Sequence, residues 1–84
     1  MTSFYSKPGC VSCKGMQREF DKANLIEGVH YRYFDISEDP EAMAYAQRLG
    51  ESEGTTSLPL IEFPDGSVLS GYRPDKFREK VSTW

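Results

Sequence analysis

Residues 4–13 of this chain read Phe-Tyr-Ser-Lys-Pro-Gly-Cys-Val-Ser-Cys, and this stretch decides the fold. Its aromatic start is typical of a β-strand, and Pro8 and Gly9 mark a turn. From Cys10 onward apolar residues recur at helical spacing, so the two cysteines stand at the start of a predicted helix. Residues three apart are neighbours on a helix, so a thiolate at Cys10 can attack a disulfide and Cys13 can resolve the intermediate.

The numbers of cysteine and histidine residues limit the kinds of metal or redox site that the chain can form. The chain contains two cysteines and one histidine, so it cannot by itself supply the four cysteine and histidine ligands of a structural zinc site. A disulfide that closes so short a loop contributes only ~2 kcal/mol to stability in the chain-entropy model. These counts favour dithiol exchange. The alternatives are half of a metal site shared between two chains and a pair of inert core cysteines.

The composition predicts one folded domain over residues 1–84. The chain is 38% hydrophobic and 27% charged, which lies within the range of globular proteins. A net charge of −3 provides no electrostatic attraction toward nucleic acid or an anionic membrane. We find no signal-peptide pattern and no apolar run of roughly 18 residues, so we expect a cytoplasmic protein.

The pattern along the chain predicts the order β-α-β-α-β-β-α. Strands are expected at residues 2–6, 31–36, 58–63 and 68–71, and helices from 10 to between 23 and 28, from 39 to 50, and from 74 to 84. Residues 51–57 are expected to be a polar loop. The turn at residues 63–67 makes the last two strands antiparallel. This order describes an α/β fold with a four-stranded mixed sheet flanked by three helices.

Apolar residues at helical spacing define the faces that should be buried. They are Cys13, Met16, Phe20 and Ala23 in the first helix, Ala42, Tyr45, Ala46 and Leu49 in the second, and Phe77, Val81 and Trp84 in the third. Asp39 is a candidate N-cap for the second helix, with Pro40 at the first helical position. Cys10 is the candidate nucleophile, because free main-chain amides and the helix dipole favour a thiolate at a helix N-terminus.

Two widely separated segments resemble one family. The order of elements, with Cys-x-x-Cys after the first strand and Pro59 opening the third, resembles the thioredoxin-fold glutaredoxins. Residues 5–13 look like the active-site segment of the NrdH-redoxins, although Ser12 stands where that family has Gln. Residues 70–75, Ser-Gly-Tyr-Arg-Pro-Asp, are similar to the same family's Ser-Gly-Phe-Arg-Pro-Asp signature.

The resemblance implies an electron donor. NrdH-redoxins are reduced by an NADPH-dependent thioredoxin reductase and reduce the disulfide of a class Ib ribonucleotide reductase. We therefore expect a monomer whose redox group is the Cys10–Cys13 disulfide itself, with no bound cofactor or metal. Two alternatives remain: a glutaredoxin that uses glutathione or another small thiol, and paired chains that share an iron–sulfur cluster through Cys10.

The same resemblance bears on the glutathione alternative. Glutathione-linked glutaredoxins typically carry Cys-Pro-Tyr-Cys and a Gly-Gly pair before the last helix. Here Val11-Ser12 and Ser70-Gly71 occupy those positions. We therefore expect the glutathione groove to be incomplete.

The resemblance also implies a set of partner-binding residues around the dithiol. They are Tyr5, Lys7, Val11, Ser12, Leu58, Pro59, Gly71, Tyr72, Arg73 and Asp75. The Leu58–Pro59 bond is expected to be cis, with the backbone of Leu58 open to the substrate chain. An exposed apolar rim is expected from Val11, Leu58, Pro59 and Tyr72. Leu69 stands where the family usually has Trp, and this departure weakens the family's surface patch.

Several of these residues have more than one interpretation. Tyr72 is either an exposed aromatic residue that docks a partner or a residue of the core. Lys7 either tunes Cys10 or steers an acidic partner, or it is simply solvated. Tyr5 either stacks beside the thiols or is an aromatic residue of the sheet. Arg73 and Asp75 either form a surface ion pair of little energetic value or fix residues 70–72 beside the active site.

Overall fold

The computed structural model describes residues 1–82. Within this range the chain forms four strands and three helices in the predicted order. They are β1 (Thr2–Ser6), α1 (Val11–Lys22), β2 (Tyr31–Asp35), α2 (Pro40–Glu53), β3 (Leu60–Glu62), β4 (Val68–Ser70) and α3 (Pro74–Val81). Among the described residues, no helix has both the length and the apolar composition that crossing a membrane requires.

The strands form one mixed sheet in the order β2-β1-β3-β4. β1 and β2 run parallel, and α1 makes the crossover between them. β3 is antiparallel to both β1 and β4. The turn between β3 and β4 is closed by Gly66, which has a φ of 88° and donates its N–H to Phe63 O. The predicted four-stranded mixed sheet with three helices is confirmed.

Successive residues of β1 point to opposite faces of the sheet, so the core is divided into two clusters. Phe4 belongs to the cluster that α1 and α3 cover, whose other buried members are Cys13, Met16, Phe20, Tyr31, Ile61, Phe63 and Phe77. Tyr5 belongs to the cluster that α2 covers, together with Ala42, Ala46 and Leu60. The helix that carries the dithiol therefore lies on the face of the sheet opposite to Tyr5.

The predicted helix faces are confirmed in the described residues with one exception. Tyr45 is partly exposed, and its hydroxyl donates a hydrogen bond to Glu62 at 2.6 Å. In α3, Phe77 is buried and Val81 packs against the same cluster, whereas Trp84 lies outside the described residues.

Glu19 is a buried carboxylate of α1 that the apolar pattern did not predict. Its side chain is 5% exposed, and Oε1 accepts a hydrogen bond from Arg78 Nε of α3 at 3.0 Å. Lys22 Nζ lies 3.4 Å from Oε2. Because both oxygens have a cationic partner, this buried charge ties α1 to α3.

The predicted end of α2 at Gly50 is wrong, since the helix continues to Glu53. Gly50 is buried inside the helix, where an added Cβ would lie only 2.6 Å from Thr55 O. The helix ends instead at Gly54, whose φ of 68° is the left-handed conformation typical of a helix C-terminus. The first three residues of the predicted polar loop are therefore helical.

Several other boundaries differ from the predicted ones by one or two residues. α1 ends at Lys22, because Asn24 has a φ of 60°. β3 begins at Leu60 and not at residue 58, because Pro59 has no N–H to donate to the sheet. β2, β3 and β4 each end one residue early, and after β4 Gly71 has a φ of 76°.

Candidate active site

The turn between β1 and α1 places Cys10 beyond the C-terminal end of β1, a central strand of the sheet. β1 ends at Ser6, whose buried hydroxyl accepts a hydrogen bond from Tyr33 of β2 at 2.9 Å. Gly9 has a φ of 75°, which reverses the chain toward α1. Cys10 then occupies the N-cap position with extended dihedrals, φ −86° and ψ 109°. Ser6, before the turn, is thus fixed by its hydrogen bond to Tyr33, and Cys10, after the turn, is fixed by its place at the start of α1.

The two cysteines differ in exposure and in their hydrogen bonds. They form a disulfide in this structure, with Cα atoms 5.2 Å apart. The main-chain N–H of Cys13 donates to Cys10 Sγ at 3.2 Å. Cys10 is partly exposed, whereas Cys13 is 2% exposed and belongs to the core cluster of α1. An incoming sulfur can therefore reach Cys10 before Cys13.

The segment before β3 lies beside the dithiol helix. The Leu58–Pro59 peptide bond is cis, as the resemblance implied. Leu58 is half-buried and packs against the same core cluster as Cys10. Pro59 is fully buried, and its carbonyl accepts a hydrogen bond from Gly71 N–H at 3.0 Å. Pro59 therefore adds no exposed surface to an apolar rim, which corrects that expectation.

A cluster of hydroxyl groups joins the loop before the Leu58–Pro59 bond to the end of β4. Thr55 Oγ1 and Ser70 Oγ are 2.8 Å apart, and Ser70 Oγ donates to Ser57 O at 3.1 Å. Ser57 N–H in turn donates to Thr55 Oγ1 at 3.1 Å. Neither Thr55 nor Ser57 was predicted from the sequence as a site residue. The available signal was the polar run at residues 55–57, directly before Leu58.

The expected arrangements of Arg73 and Asp75 are absent from the described residues. Asp75 Oδ1 lies 3.7 Å from Arg78 Nη1, one helical turn away. Arg73 is the exposed N-cap residue of α3 and makes no side-chain capping hydrogen bond. Residues three apart on a helix lie on the same face, so Asp75 meets Arg78 within α3. The loop at residues 70–72 is held by the hydroxyl cluster instead.

Tyr5 does not lie beside the thiols. It is buried on the α2 face of the sheet, where its ring stacks on that of Phe34 with centroids 5.1 Å apart. Burial raises the pKa of its hydroxyl. Of the two interpretations, the structure supports the second, in which Tyr5 is an aromatic residue of the sheet.

The exposed apolar side chains near the dithiol come from Val11 and Tyr72. Val11, in the first turn of α1, is 83% exposed, and Tyr72 is 53% exposed. Their neighbours in the sequence, Ser12 and Gly71, are partly buried. Leu69, in place of an expected Trp, packs against the core cluster of α1 and α3.

A groove of about 520 Å³ runs between α2 and the segment before β3. Its walls include Lys7, Ile36, Met43, Gln47, Glu51 and Leu58. Lys7 is exposed and contributes to this groove from the turn before Cys10. The groove therefore borders Leu58 and carries charges of both signs.

Comparisons with known proteins agree with this geometry. The glutaredoxin family model matches residues 3–68. The NrdH-redoxin of Escherichia coli, described as glutaredoxin-like with a thioredoxin-like activity profile, is 26% identical; the alignment covers 93% of this chain and 91% of that chain, with a TM-score of 0.72. No curated protein matches the chain significantly.

Two further structures share the fold. A glutaredoxin of Archaeoglobus fulgidus is 18% identical over 95% of this chain and 84% of that chain, with a TM-score of 0.73. Buckwheat glutaredoxin, solved as a complex with glutathione, is 18% identical over 96% of this chain and 69% of that chain, with a TM-score of 0.68. The fold is thus the expected thioredoxin/glutaredoxin fold. With the family model spanning most of its length and a Cys-x-x-Cys pair at the start of α1, the chain belongs to the glutaredoxin family and is a thiol–disulfide oxidoreductase.

Proposed function

We propose that the protein is a cytoplasmic dithiol electron donor that accepts electrons from thioredoxin reductase and reduces a protein disulfide, that of a class Ib ribonucleotide reductase. The observation that carries this proposal is the hydrogen bond from Cys13 N–H to Cys10 Sγ at the start of α1. A hydrogen-bond donor aimed at the partly exposed sulfur stabilises a thiolate there and so favours attack on a disulfide. The two sulfur atoms carry the electron pair, so the reaction needs no bound cofactor.

Each turnover moves two electrons through a mixed disulfide. The Cys10 thiolate attacks one sulfur of the acceptor disulfide, and the other acceptor sulfur leaves as a thiolate. The Cys13 thiol then loses its proton and attacks Cys10 Sγ, which releases the second acceptor sulfur. The acceptor gains two electrons and two protons, and the Cys10–Cys13 disulfide remains. Thioredoxin reductase, with NADPH as the source of two electrons, restores the dithiol.

The surface near the dithiol supports a protein as the reducing partner. Val11 and Tyr72 expose apolar side chains, and aromatic side chains are enriched at protein–protein interfaces. Ser70 stands where glutathione-linked glutaredoxins have Gly, and its hydroxyl is already bonded to Thr55 and Ser57. A tripeptide would need to share or displace these hydrogen bonds. The likeness to an NrdH-redoxin with a thioredoxin-like activity profile supports the same choice.

Glutathione is the second candidate for the reductant, and the groove beside Leu58 favours it. Lys7 and Gln47 on its walls are suited to bind a carboxylate. Glu51 lines the same groove, and its negative charge would repel the two carboxylates of glutathione. This repulsion is the reason that we place glutathione second.

The experiment supplies the oxidised protein with one of two reducing systems. One contains NADPH and thioredoxin reductase, and the other contains NADPH, glutathione and glutathione reductase. The fall in NADPH absorbance follows electron flow to oxidised class Ib ribonucleotide reductase or to a model protein disulfide. We expect efficient reduction by thioredoxin reductase and weak turnover with glutathione. The Cys10→Ser variant is the matched control and should be inactive with both.

The opposite result would overturn the choice of partner. Turnover with glutathione and no response to thioredoxin reductase would identify the protein as a glutathione-dependent glutaredoxin. Suppose that thioredoxin reductase reduces the protein but no electrons pass to class Ib ribonucleotide reductase. The assignment of thioredoxin reductase would then be correct, and the assignment of the acceptor would be wrong.

A further inference from the structure

The ring of Tyr72 lies against α1 at Gly15. A Cβ built on Gly15 would lie 2.8 Å from Tyr72 Cε1 and 2.9 Å from Tyr72 Cδ1. Carbon atoms of side chains do not approach so closely, since their optimal separation is about 3.5–4.0 Å. The Tyr72 ring therefore occupies the space that any other side chain at position 15 would fill.

Main-chain conformation does not explain a glycine at this position. Gly15 lies in the middle of α1, between Val11 and Lys22, and it is not among the glycines with a positive φ. A glycine inside a helix lowers helix stability relative to alanine. The close approach of the Tyr72 ring is the feature of the structure that requires a residue without a side chain at position 15.

The contact places the ring next to the dithiol. Residues four apart on a helix lie on the same face, so the ring over Gly15 is one turn from Val11, which directly follows Cys10. Tyr72 nevertheless keeps 53% of its surface exposed. One face of the ring thus rests on α1 while the rest remains open to a partner.

We propose that Gly15 is a positioning residue that seats the Tyr72 ring on α1, so that Tyr72 and Val11 present one continuous apolar surface to thioredoxin reductase. This inference rests on the proposed function, because it assigns Tyr72 to the contact with that reductase. In the Gly15→Ala variant the exposed ring swings away while the helix remains intact, because alanine is the strongest helix former. Tyr72 and Val11 then no longer form one continuous surface next to Cys10.

The test combines spectroscopy with a double-mutant cycle. In proton NMR, the Hα signals of Gly15 should show a ring-current shift that disappears in Tyr72→Ala. In reductase kinetics, Gly15→Ala and Tyr72→Ala should each raise the KM for the redoxin about tenfold, with a smaller change in kcat. Adding Gly15→Ala to Tyr72→Ala should cause no further increase, because no ring remains to be displaced. Exposed Arg18, on the same helix, supplies the control substitution Arg18→Ala.

The outcomes separate this inference from the proposed function. If Tyr72→Ala raises KM and Gly15→Ala does not, the positioning role of Gly15 is wrong and the reductase assignment stands. An unshifted Gly15 Hα signal, or additive effects of the two substitutions, would also overturn the positioning role. If the wild-type protein is not reduced by thioredoxin reductase at all, the proposed function fails, and this inference fails with it.

Discussion

The main-chain N–H of Cys13 donates a hydrogen bond to Cys10 Sγ at 3.2 Å, from within the helix that Cys10 caps. The bond is local, since it joins residues three apart, and it arises because an N-cap side chain meets the free amides of the first turn. The outer sulfur thus has a donor and access to solvent, while the inner sulfur is enclosed by the core. This asymmetry leads to two predictions about the thiols.

The first prediction concerns which thiol attacks. Cys13→Ser should trap a mixed disulfide with an oxidised acceptor, because Cys10 can attack but nothing resolves the product. Cys10→Ser should trap none, because Cys13 is 2% exposed. Non-reducing gel electrophoresis followed by mass spectrometry measures both. Equal trapping by the two variants would contradict the division of roles.

The second prediction concerns the charge state of Cys10. In the reduced Cys13→Ser variant, the rate of alkylation by iodoacetamide should reach half its maximum at a pH below ~8.5, the value for a free cysteine. The reason is that the helix N-terminus offers amide hydrogen bonds to a thiolate. A midpoint at or above that of a cysteine in a short peptide would refute the argument.

The third prediction concerns the buried carboxylate of Glu19. Arg78→Met removes its partner on α3 and should lower the free energy of unfolding by about 1–3 kcal/mol. Lys22→Met is the matched comparison, since Lys22 makes only a longer contact of 3.4 Å within its own helix; it should cost less than about 0.5 kcal/mol. Urea denaturation measures both changes. Equal losses of unfolding free energy in the two variants would show that the Glu19–Arg78 pair stabilises the fold no more than the Glu19–Lys22 pair does.

The fourth prediction concerns stability at high pH. The hydrogen bond from Tyr45 to the Glu62 carboxylate raises the pKa of Tyr45 from 10.0 to about 12. Between these values the unfolded chain has released a proton that the folded chain retains, so the free energy of unfolding falls as pH rises. Below pH 10 this contribution is complete.

The measurement for this prediction is urea denaturation at several pH values above 9. Tyr45→Phe removes the titrating group, and Glu62→Gln removes the charge that shifts it. Both variants should lose less stability than the wild type across the window from pH 10 to about 12. A wild-type slope equal to that of Tyr45→Phe would rule the effect out.

The fifth prediction concerns the hydroxyl cluster next to the cis peptide bond. Ser70→Ala removes the bonds to Thr55 and Ser57 and should lower the free energy of unfolding by about 1 kcal/mol. It should also lower kcat/KM with thioredoxin reductase by about fivefold, because the loop that carries Tyr72 is no longer fixed. Ser67→Ala is the control, since Ser67 makes a similar bond to Asp65 in the hairpin turn. Equal losses of activity in the two variants would contradict a positional effect.

The features that depend on local sequence were predictable. Asp39 accepts hydrogen bonds from Glu41 N–H and Ala42 N–H, as expected for an N-cap before Pro40. The buried stripe of α1 follows directly from the helical period of its apolar residues. Each of these signals is complete within one helical turn or a few turns, so it can be read from the chain alone.

The features that depend on distant contacts were not predictable. Gly50 and Gly54 carry the same local signal for a helix end, but Gly50 is buried within α2, where an added Cβ would also meet Leu60 of β3 at 3.6 Å. The Thr55–Ser70 hydrogen bond joins residues 15 positions apart, one in the loop after α2 and the other at the end of β4. Tyr5 and its neighbour Phe4 alternate across the sheet, but the face that α1 covers depends on how the helix packs after the crossover.

The position of β4 at the edge of the sheet has a consequence for self-association. An edge strand exposes unpaired main-chain groups that can pair with the edge of another molecule and start aggregation. Here the edge contains only three residues, Val68–Ser70, and Gly71 turns the chain away with a φ of 76°. A second copy would find few main-chain hydrogen bonds to form along so short an edge. The same turn that brings Tyr72 against α1 thus also limits edge-to-edge pairing of the sheet at β4.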